Sequence, residues 1–142
     1  MFKKIIVGVD FTEKTERAIG AALTLAKATH GTAVLLHVIP SGADSRKTTS
    51  GSDTEVMQSI EERLRDEAAR LSKEHAMHVD YGVVEGAAVE EIVKFVTTWG
   101  GDCIVAATQA RSGIGRILVG SVAERLLQIS PVPVIVIGPE VR

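Results

Sequence analysis

Short apolar runs alternate along the chain with longer stretches in which apolar residues recur every three or four positions. The short runs are rich in β-branched residues, which predicts strands near 5–9, 33–39, 79–84, 102–107 and 134–137. The longer stretches have helical spacing, which predicts helices near 13–29, 54–75, 89–96 and 121–129. The runs IIVGV and CIVAA are apolar at nearly every position, as is typical of parallel strands covered on both faces.

The predicted order of elements is β-α-β-α-β-α-β-α-β. Parallel strands need crossover connections of about a dozen residues or more, and the helical stretches supply them. We therefore predict an α/β fold, an open five-stranded parallel sheet with helices on both faces, as a single domain over residues 1–142. The segment 40–53, PSGADSRKTTSGSD, is rich in polar residues and in residues that favour turns, which predicts a mobile loop.

Composition narrows the class of protein. Of 142 residues, 45% are hydrophobic and 24% charged, which is an ordinary globular balance. A formal net charge of −2 argues against a nucleic-acid-binding surface, which needs clustered positive charge. One cysteine excludes an internal disulfide framework and a multi-cysteine metal site. No apolar run approaches the roughly 20 residues of a membrane span, so we expect no membrane insertion and a cytoplasmic location.

Open parallel sheets bind ligands beyond the carboxyl ends of their strands. The segment that follows the fourth predicted strand, ATQARSGIGRILVGSVAE, has three glycines, two arginines and a helix start. Ser121 and Glu124 have the spacing of a capping box. Free N–H groups at a helix start attract anions, and Arg111 or Arg116 can add phosphate contacts. In the alternative interpretation, Ser121 only caps its helix and the arginines are solvated.

Asp10 ends the first strand and is the second candidate. Its carboxylate is placed to accept hydrogen bonds from a ribose or an adenine amine, or to cap the following helix together with Thr12. His37 lies near the same edge and is interpreted as a partly buried structural histidine. Cys103 lies inside an apolar strand and is expected to be inert. The histidines have no acidic or cysteine partners at ligand spacing, so we expect no dedicated metal site.

Three stretches together resemble the universal stress protein family: IIVGVDFTEKTERAI, LLHVIP and DCIVAATQARSGIGRILVGSVAERLLQISPVPVIVI. VVEGAAVEEIVKFV is similar to the family segment before the fourth strand. The resemblance implies strand order 3-2-1-4-5 and a regulatory protein of the stress response that binds ATP or AMP, with Mg²⁺ as a possible companion of the nucleotide. It also implies a homodimer formed through the last strand, Val134, Ile135, Val136 and Ile137.

The resemblance assigns the nucleotide to the ends of the first, second and fourth strands. Asp10 is implied to meet the adenine or ribose, and the main chain at Val38 to meet the base. The residues implied to line the nucleotide or hold its phosphates are Ala106, Ala107, Ala110, Gly120, Ser121 and Val122.

Ala107 and Ala110 stand where ATP-binding members of the family have the glycines of a G-x-x-G motif. If either position needs a left-handed backbone, alanine costs about 1–2 kcal/mol. The alternative hypothesis is therefore a nucleotide-free dimeric interaction module that acts through its edge strand and the 40–53 loop. A slow ATP hydrolase or self-phosphorylating protein is the third hypothesis, although no general base is evident beside Ser121.

Overall fold

Five strands and four helices alternate along residues 1–41, 50–108 and 120–138, which are the residues that the computed structural model describes, with side chains for all except 50–53. The strands are β1 (Lys4–Gly8), β2 (Thr32–Pro40), β3 (Val79–Gly86), β4 (Cys103–Ala107) and β5 (Val134–Ile137). The helices are α1 (Glu13–Ala28), α2 (Ser50–His75), α3 (Ala88–Trp99) and α4 (Ser121–Ile129). Each predicted element is present in this part of the chain, with boundaries displaced by a few residues at most.

The strands form one parallel sheet in the order β3-β2-β1-β4-β5, which confirms the predicted fold class and strand order. The chain steps outward from β1 to β3, returns to β4 beside β1, and ends at β5 on the opposite edge. The order therefore reverses between β1 and β4, and a cleft opens at such a switch point beyond the strand ends.

Side chains alternate between the two faces of the sheet and build two cores. On one face, Ile5, Val7 and Leu35 pack against α1 and α2. On the other face, Ile6 and Leu36 pack against α3 and α4. All five of these side chains are fully or almost fully buried. Because both faces are covered, the central strands are apolar throughout.

Helix α2 begins earlier than its sequence predicts. Residues 50–53 were expected to be loop, yet the helix starts at Ser50. The first turn of a helix favours the same small polar residues as a loop, so composition did not separate the two. Pro40 is the last residue of β2. Residues 42–49, the rest of the predicted mobile loop, lie outside the described residues.

The amino end of the sheet is closed by main-chain contacts. The two Asp102 carboxylate oxygens accept hydrogen bonds from the Lys3 and Lys4 N–H groups at 3.0 and 3.1 Å. After the end of α1, His30 adopts the left-handed conformation, with φ of 57°. A Cβ atom on Gly31 would lie 2.6 Å from the Cα of Lys3, so glycine is needed there for close approach of two chain segments.

Strand β5 is an edge of the sheet, and all four of its residues are partly exposed. The homodimer through this strand stays a prediction.

In the described part of the chain, no helix combines the length and the apolar character needed to cross a membrane.

Candidate functional site

A cavity of about 230 Å³ opens at the carboxyl end of the sheet, where β1 and β4 part. Its apolar wall continues the core that α3 and α4 form with the sheet. Large apolar side chains, such as Ile92 and Leu126, form part of this wall, and small residues among them leave space: Gly8, Ala88, Ala106 and Ala123. A Cβ atom on Gly8 would meet no other atom within 4 Å, so the space above β1 is open. We call this apolar part of the cavity the slot.

The slot begins where β1 leaves β2. The Val9 N–H still donates to the Leu36 carbonyl at 2.8 Å. In a regular parallel ladder the Val38 N–H would next donate to the Val9 carbonyl, but that bond is absent from the main-chain bonds of the described residues. Val38 also lines the cavity. Its main-chain N–H is thereby available beside the slot, which fits the predicted role of the Val38 main chain.

The His37 ring takes the place of that missing bond. Its Nδ1 lies 2.6 Å from the Val9 carbonyl oxygen. Because a carbonyl oxygen only accepts, Nδ1 must carry the proton, which fixes the ring against the end of β1. Phe11 packs on His37 with ring centroids 4.9 Å apart, and the Arg63 guanidinium lies 4.2 Å from the Phe11 ring centroid. His37 is partly buried and structurally bound, as its sequence context predicted.

Asp10 lies at the rim of the cavity and is exposed. Its Oδ1 accepts hydrogen bonds from the Thr12 main-chain N–H at 2.9 Å and from the Thr12 hydroxyl at 2.5 Å. Partial desolvation raises the pKa of the Asp10 carboxyl, but these hydrogen bonds, with smaller contributions from Thr15 and Lys14, bring the pKa below its ordinary value. Asp10 therefore stays ionised and orders the turn before α1. Thr12 is the N-cap residue, without a side-chain capping bond.

Ala107 is the last residue of β4 and pairs with Ile137 of β5. It is not one of the residues with positive φ, so the strain that alanine would suffer in a left-handed conformation does not arise here. Its methyl group packs against the core formed with α1 and α2. Ala107 nevertheless lines the cavity, as does Ala106 beside it. Replacing glycine by alanine at position 107 is therefore compatible with an open site.

Helix α4 points its first turn at the cavity, and Gly120, Ser121 and Val122 line it. The predicted capping box is wrong, because Gly120, and not Ser121, is the N-cap residue and makes no side-chain capping bond. Gly120 is buried and has φ of −64°, so a left-handed turn does not require glycine there, and its value lies in its small size. Main-chain N–H groups in the first turn of a helix have no partner within the helix and attract anions.

Gly8, Lys14 and Ala88 are among the lining residues that the sequence did not indicate. Gly8 is the last residue of β1 and lies two positions before Asp10, so period-two alternation relates the two residues, and that signal was overlooked. Nothing local marks Lys14 or Ala88, because they reach the cavity only through the packing of α1 and α3. Ala110, Arg111 and Arg116 lie outside the described residues.

The Cys103 thiol takes no part in the cavity. It is fully buried in β4. Burial, with a smaller effect of Asp102, raises the pKa of the thiol to about 11, so it stays protonated and unreactive near neutral pH.

Comparison with known proteins places the chain among relatives of one kind. The family model described as the universal stress protein family matches residues 1–138. The universal stress protein MJ0531 of Methanocaldococcus jannaschii is 30% identical over 144 residues, which cover 96% of this chain and 82% of the relative.

Solved structures of similar proteins share the fold. A universal stress protein in complex with cAMP is 19% identical with a TM-score of 0.72, covering 95% of this chain and 96% of its own. The universal stress protein of Archaeoglobus fulgidus in complex with dAMP is 19% identical with a TM-score of 0.69, covering 94% of this chain and 95% of its own.

Proposed function

This chain belongs to the universal stress protein family, and from that membership we propose that it binds an adenine nucleotide, ATP or AMP, as a regulatory ligand. The nucleotide occupies the cavity between the ends of β1 and β4. The observation that carries the proposal is the form of this cavity, an apolar slot of small side chains with a polar rim and a helix N-terminus at its mouth.

The adenine ring fits the apolar part of the site. Gly8, Ala88 and Ala106 line the apolar part of the cavity, and the space above Gly8 is open. The Val38 N–H at its edge is a donor for a ring nitrogen, and a ring amine is the matching donor for a main-chain carbonyl. Aromatic bases gain free energy from apolar contact and gain orientation from a few such polar contacts.

The sugar and phosphates fit the polar rim. Asp10 is ionised and exposed, so its carboxylate can accept from ribose hydroxyl groups while Oδ1 keeps its bonds to Thr12. The first turn of α4, from Gly120 to Val122, offers main-chain donors and the positive end of the helix dipole to a phosphate. The complexes of similar proteins with cAMP and dAMP support an adenine nucleotide as the ligand class.

Mg²⁺ enters this proposal only as the companion of ATP. Among the described residues, no group of three or more His, Cys, Asp or Glu side chains is placed to hold a metal ion. The nucleotide phosphates would therefore supply most of the ligands of the ion, and AMP is the simpler probe of the site.

Calorimetric titration with AMP and with ATP–Mg²⁺ tests the proposal, using Gly8→Val to fill the slot. We expect the unaltered protein to bind with Kd of about 100 μM or tighter, which corresponds to roughly 5.5 kcal/mol. Gly8→Val places two methyl groups in the open space and should weaken binding more than tenfold. Gly20→Val is the matched control, because Gly20 is exposed on α1 and a Cβ atom there also meets nothing within 4 Å.

Two results would contradict the proposal. No heat at these concentrations, with no nucleotide released from the purified protein on denaturation, favours the nucleotide-free interaction module instead. Equal affinities of Gly8→Val and the unaltered protein would place the ligand elsewhere on the chain.

A further inference from the structure

Lys14 lines the same cavity as Asp10 and Ser121, although it belongs to the first turn of α1. Among the described lining residues it is the only lysine or arginine, and Asp10 is the only carboxylate. The cavity therefore has one positive and one negative side chain at its rim, together with the first turn of α4.

The position of Lys14 is not what helix stability favours. The N-terminal turn of a helix carries positive partial charge, so acidic residues stabilise it and a lysine is disfavoured there. Glu13 and Glu16 follow that preference, and Lys14 between them does not. Lys14 therefore does not stabilise the start of α1 through the helix dipole, but it lies where its charge can act on a ligand in the cavity.

A phosphate entering the cavity would meet the negative charge of Asp10, which lines the same cavity. The charge of Lys14 is close enough to Asp10 to contribute to the lowered pKa of that carboxyl. A cation placed beside the carboxylate offsets its repulsion of a phosphate, and this effect is strong in a partly desolvated site. The first N–H groups of α4 supply hydrogen bonds but only partial charge.

We propose that Lys14 contacts the phosphate of the bound nucleotide and makes the cavity prefer phosphorylated adenine nucleotides over adenosine. This inference rests on the proposed function, because it names the group that recognises the charged part of the ligand. Lys14 acts here as a specificity-determining residue with no role in chemistry.

The test compares adenosine, AMP and ATP–Mg²⁺ on the unaltered protein, Lys14→Gln and Lys14→Arg. Lys14→Gln removes the charge at nearly constant length, so it should weaken AMP binding about tenfold, a change of about 1.4 kcal/mol. Its affinity for adenosine should stay within about twofold. Lys14→Arg should retain most of the AMP affinity, since guanidinium also binds phosphate. Raising the salt concentration should weaken AMP binding to the unaltered protein more than binding to Lys14→Gln.

Lys27→Gln is the matched control, because Lys27 is exposed in the last turn of the same helix and its loss changes net charge equally. It should leave all three affinities unchanged. Circular dichroism and the melting temperature of each variant verify that the fold is retained.

The outcomes separate the two proposals. If the unaltered protein binds neither adenosine nor the nucleotides, the proposed function is wrong and this inference falls with it. If nucleotides bind but Lys14→Gln leaves the ratio of AMP to adenosine affinity unchanged, the site stands and the role of Lys14 is overturned. An equal loss of both ligands also overturns that role, since it shows an effect on the shape of the cavity.

Discussion

The two ends of the same sheet are built in opposite ways. At the amino end, Asp102 holds the N–H groups of Lys3 and Lys4, and the Thr32 N–H donates to the Lys3 carbonyl at 2.7 Å. At the carboxyl end, the main-chain ladder between β1 and β2 stops at Val9, and the core beyond it is left open over Gly8. At the amino end these polar groups hydrogen-bond to one another, whereas the carboxyl end leaves donors and space for a ligand.

This contrast separates the part of the sheet that stabilises the fold from the part that leaves space for the proposed ligand. The closed end contributes hydrogen bonds and close contacts that favour the folded state. The open end makes fewer van der Waals contacts around the slot, because small residues there leave space. A ligand that fills the slot would restore part of that packing, and would stabilise the protein in proportion to its concentration.

The largest expected effect is a difference in the free energy of unfolding between glycine-to-alanine substitutions at the two ends of the sheet. Gly31→Ala places a Cβ atom 2.6 Å from the Cα of Lys3, where main chain meets main chain. We expect it to lower the free energy of unfolding by about 3 kcal/mol. Gly8→Ala places its methyl group in open space and should change that free energy by less than about 1 kcal/mol. Chemical denaturation of both variants measures the difference.

Similar losses for the two alanine variants would contradict the contrast, because they would show that the carboxyl end is as tightly packed as the amino end. Gly20→Ala serves as the control for the general effect of replacing glycine in open surroundings.

A buried hydroxyl at the carboxyl end gives the second test. The Thr108 residue is 6% exposed, and its Oγ1 has no hydrogen-bond partner in the described part of the chain. Thr108→Val replaces that oxygen by a methyl group and leaves the bond from the Thr108 N–H to the Ile137 carbonyl intact. We expect a gain of about 1 kcal/mol, because an unpaired buried hydroxyl is unfavourable.

Thermal unfolding measures this gain as a rise in melting temperature of roughly 2–4 °C for a protein of this size. A fall of similar size would mean that the hydroxyl has a hydrogen-bond partner in solution. The carboxyl end would then have one unpaired polar group fewer, which would weaken the contrast between the two ends.

The smallest effect concerns Asp10, whose pKa is lower in the folded protein than the ordinary value. A carboxyl with a lowered folded-state pKa stabilises the fold above its unfolded pKa, and the stabilisation is lost as pH falls through the folded pKa. Thr12→Val removes the hydroxyl bond to Oδ1 and keeps the main-chain bond. We expect the titration midpoint of Asp10, followed by carbon NMR, to rise in this variant towards the ordinary value.

The carboxyl-carbon signal of Asp102 at neutral pH is the reference for the fold, because Asp102 lies at the other end of the sheet and bonds to the Lys3 and Lys4 N–H groups. This signal should be the same in Thr12→Val and in the unaltered protein. An Asp10 midpoint above the ordinary value in the unaltered protein would show that desolvation outweighs the hydrogen bonds.

Much of the fold could be predicted from the sequence because the signals are local. The apolar runs at β1 and β4 and the amphipathic spacing of α1 and α4 each lie within one segment, and all four elements appeared where they were expected. The errors fell at helix starts. Residues 50–53 were predicted as loop but begin α2, and Ser121 has the spacing of a capping residue but lies inside α4, because small polar residues suit several positions of a first turn.

The candidate site was only partly predictable for the opposite reason. Asp10 and Gly120 were marked by their places after a strand and before a helix, and the structure brings both to the cavity. Lys14 has no such local signal, and the signal for Gly8, its place two residues before Asp10, was overlooked. They line the cavity because β1 parts from its neighbours near Val9 and because α1 packs its first turn against that opening.

The sequence by itself determined the alternation of strands and helices, the apolar character of the central strands and the edge of the sheet where ligands bind. Each of these follows from hydrophobic periodicity or from a general rule for parallel sheets. Only the tertiary structure decided that alanine at position 107 is unstrained, that small residues from several elements leave one open slot, and that a lysine shares its rim with Asp10. Those facts depend on distances between segments far apart in the chain, and side-chain spacing along one segment does not encode them.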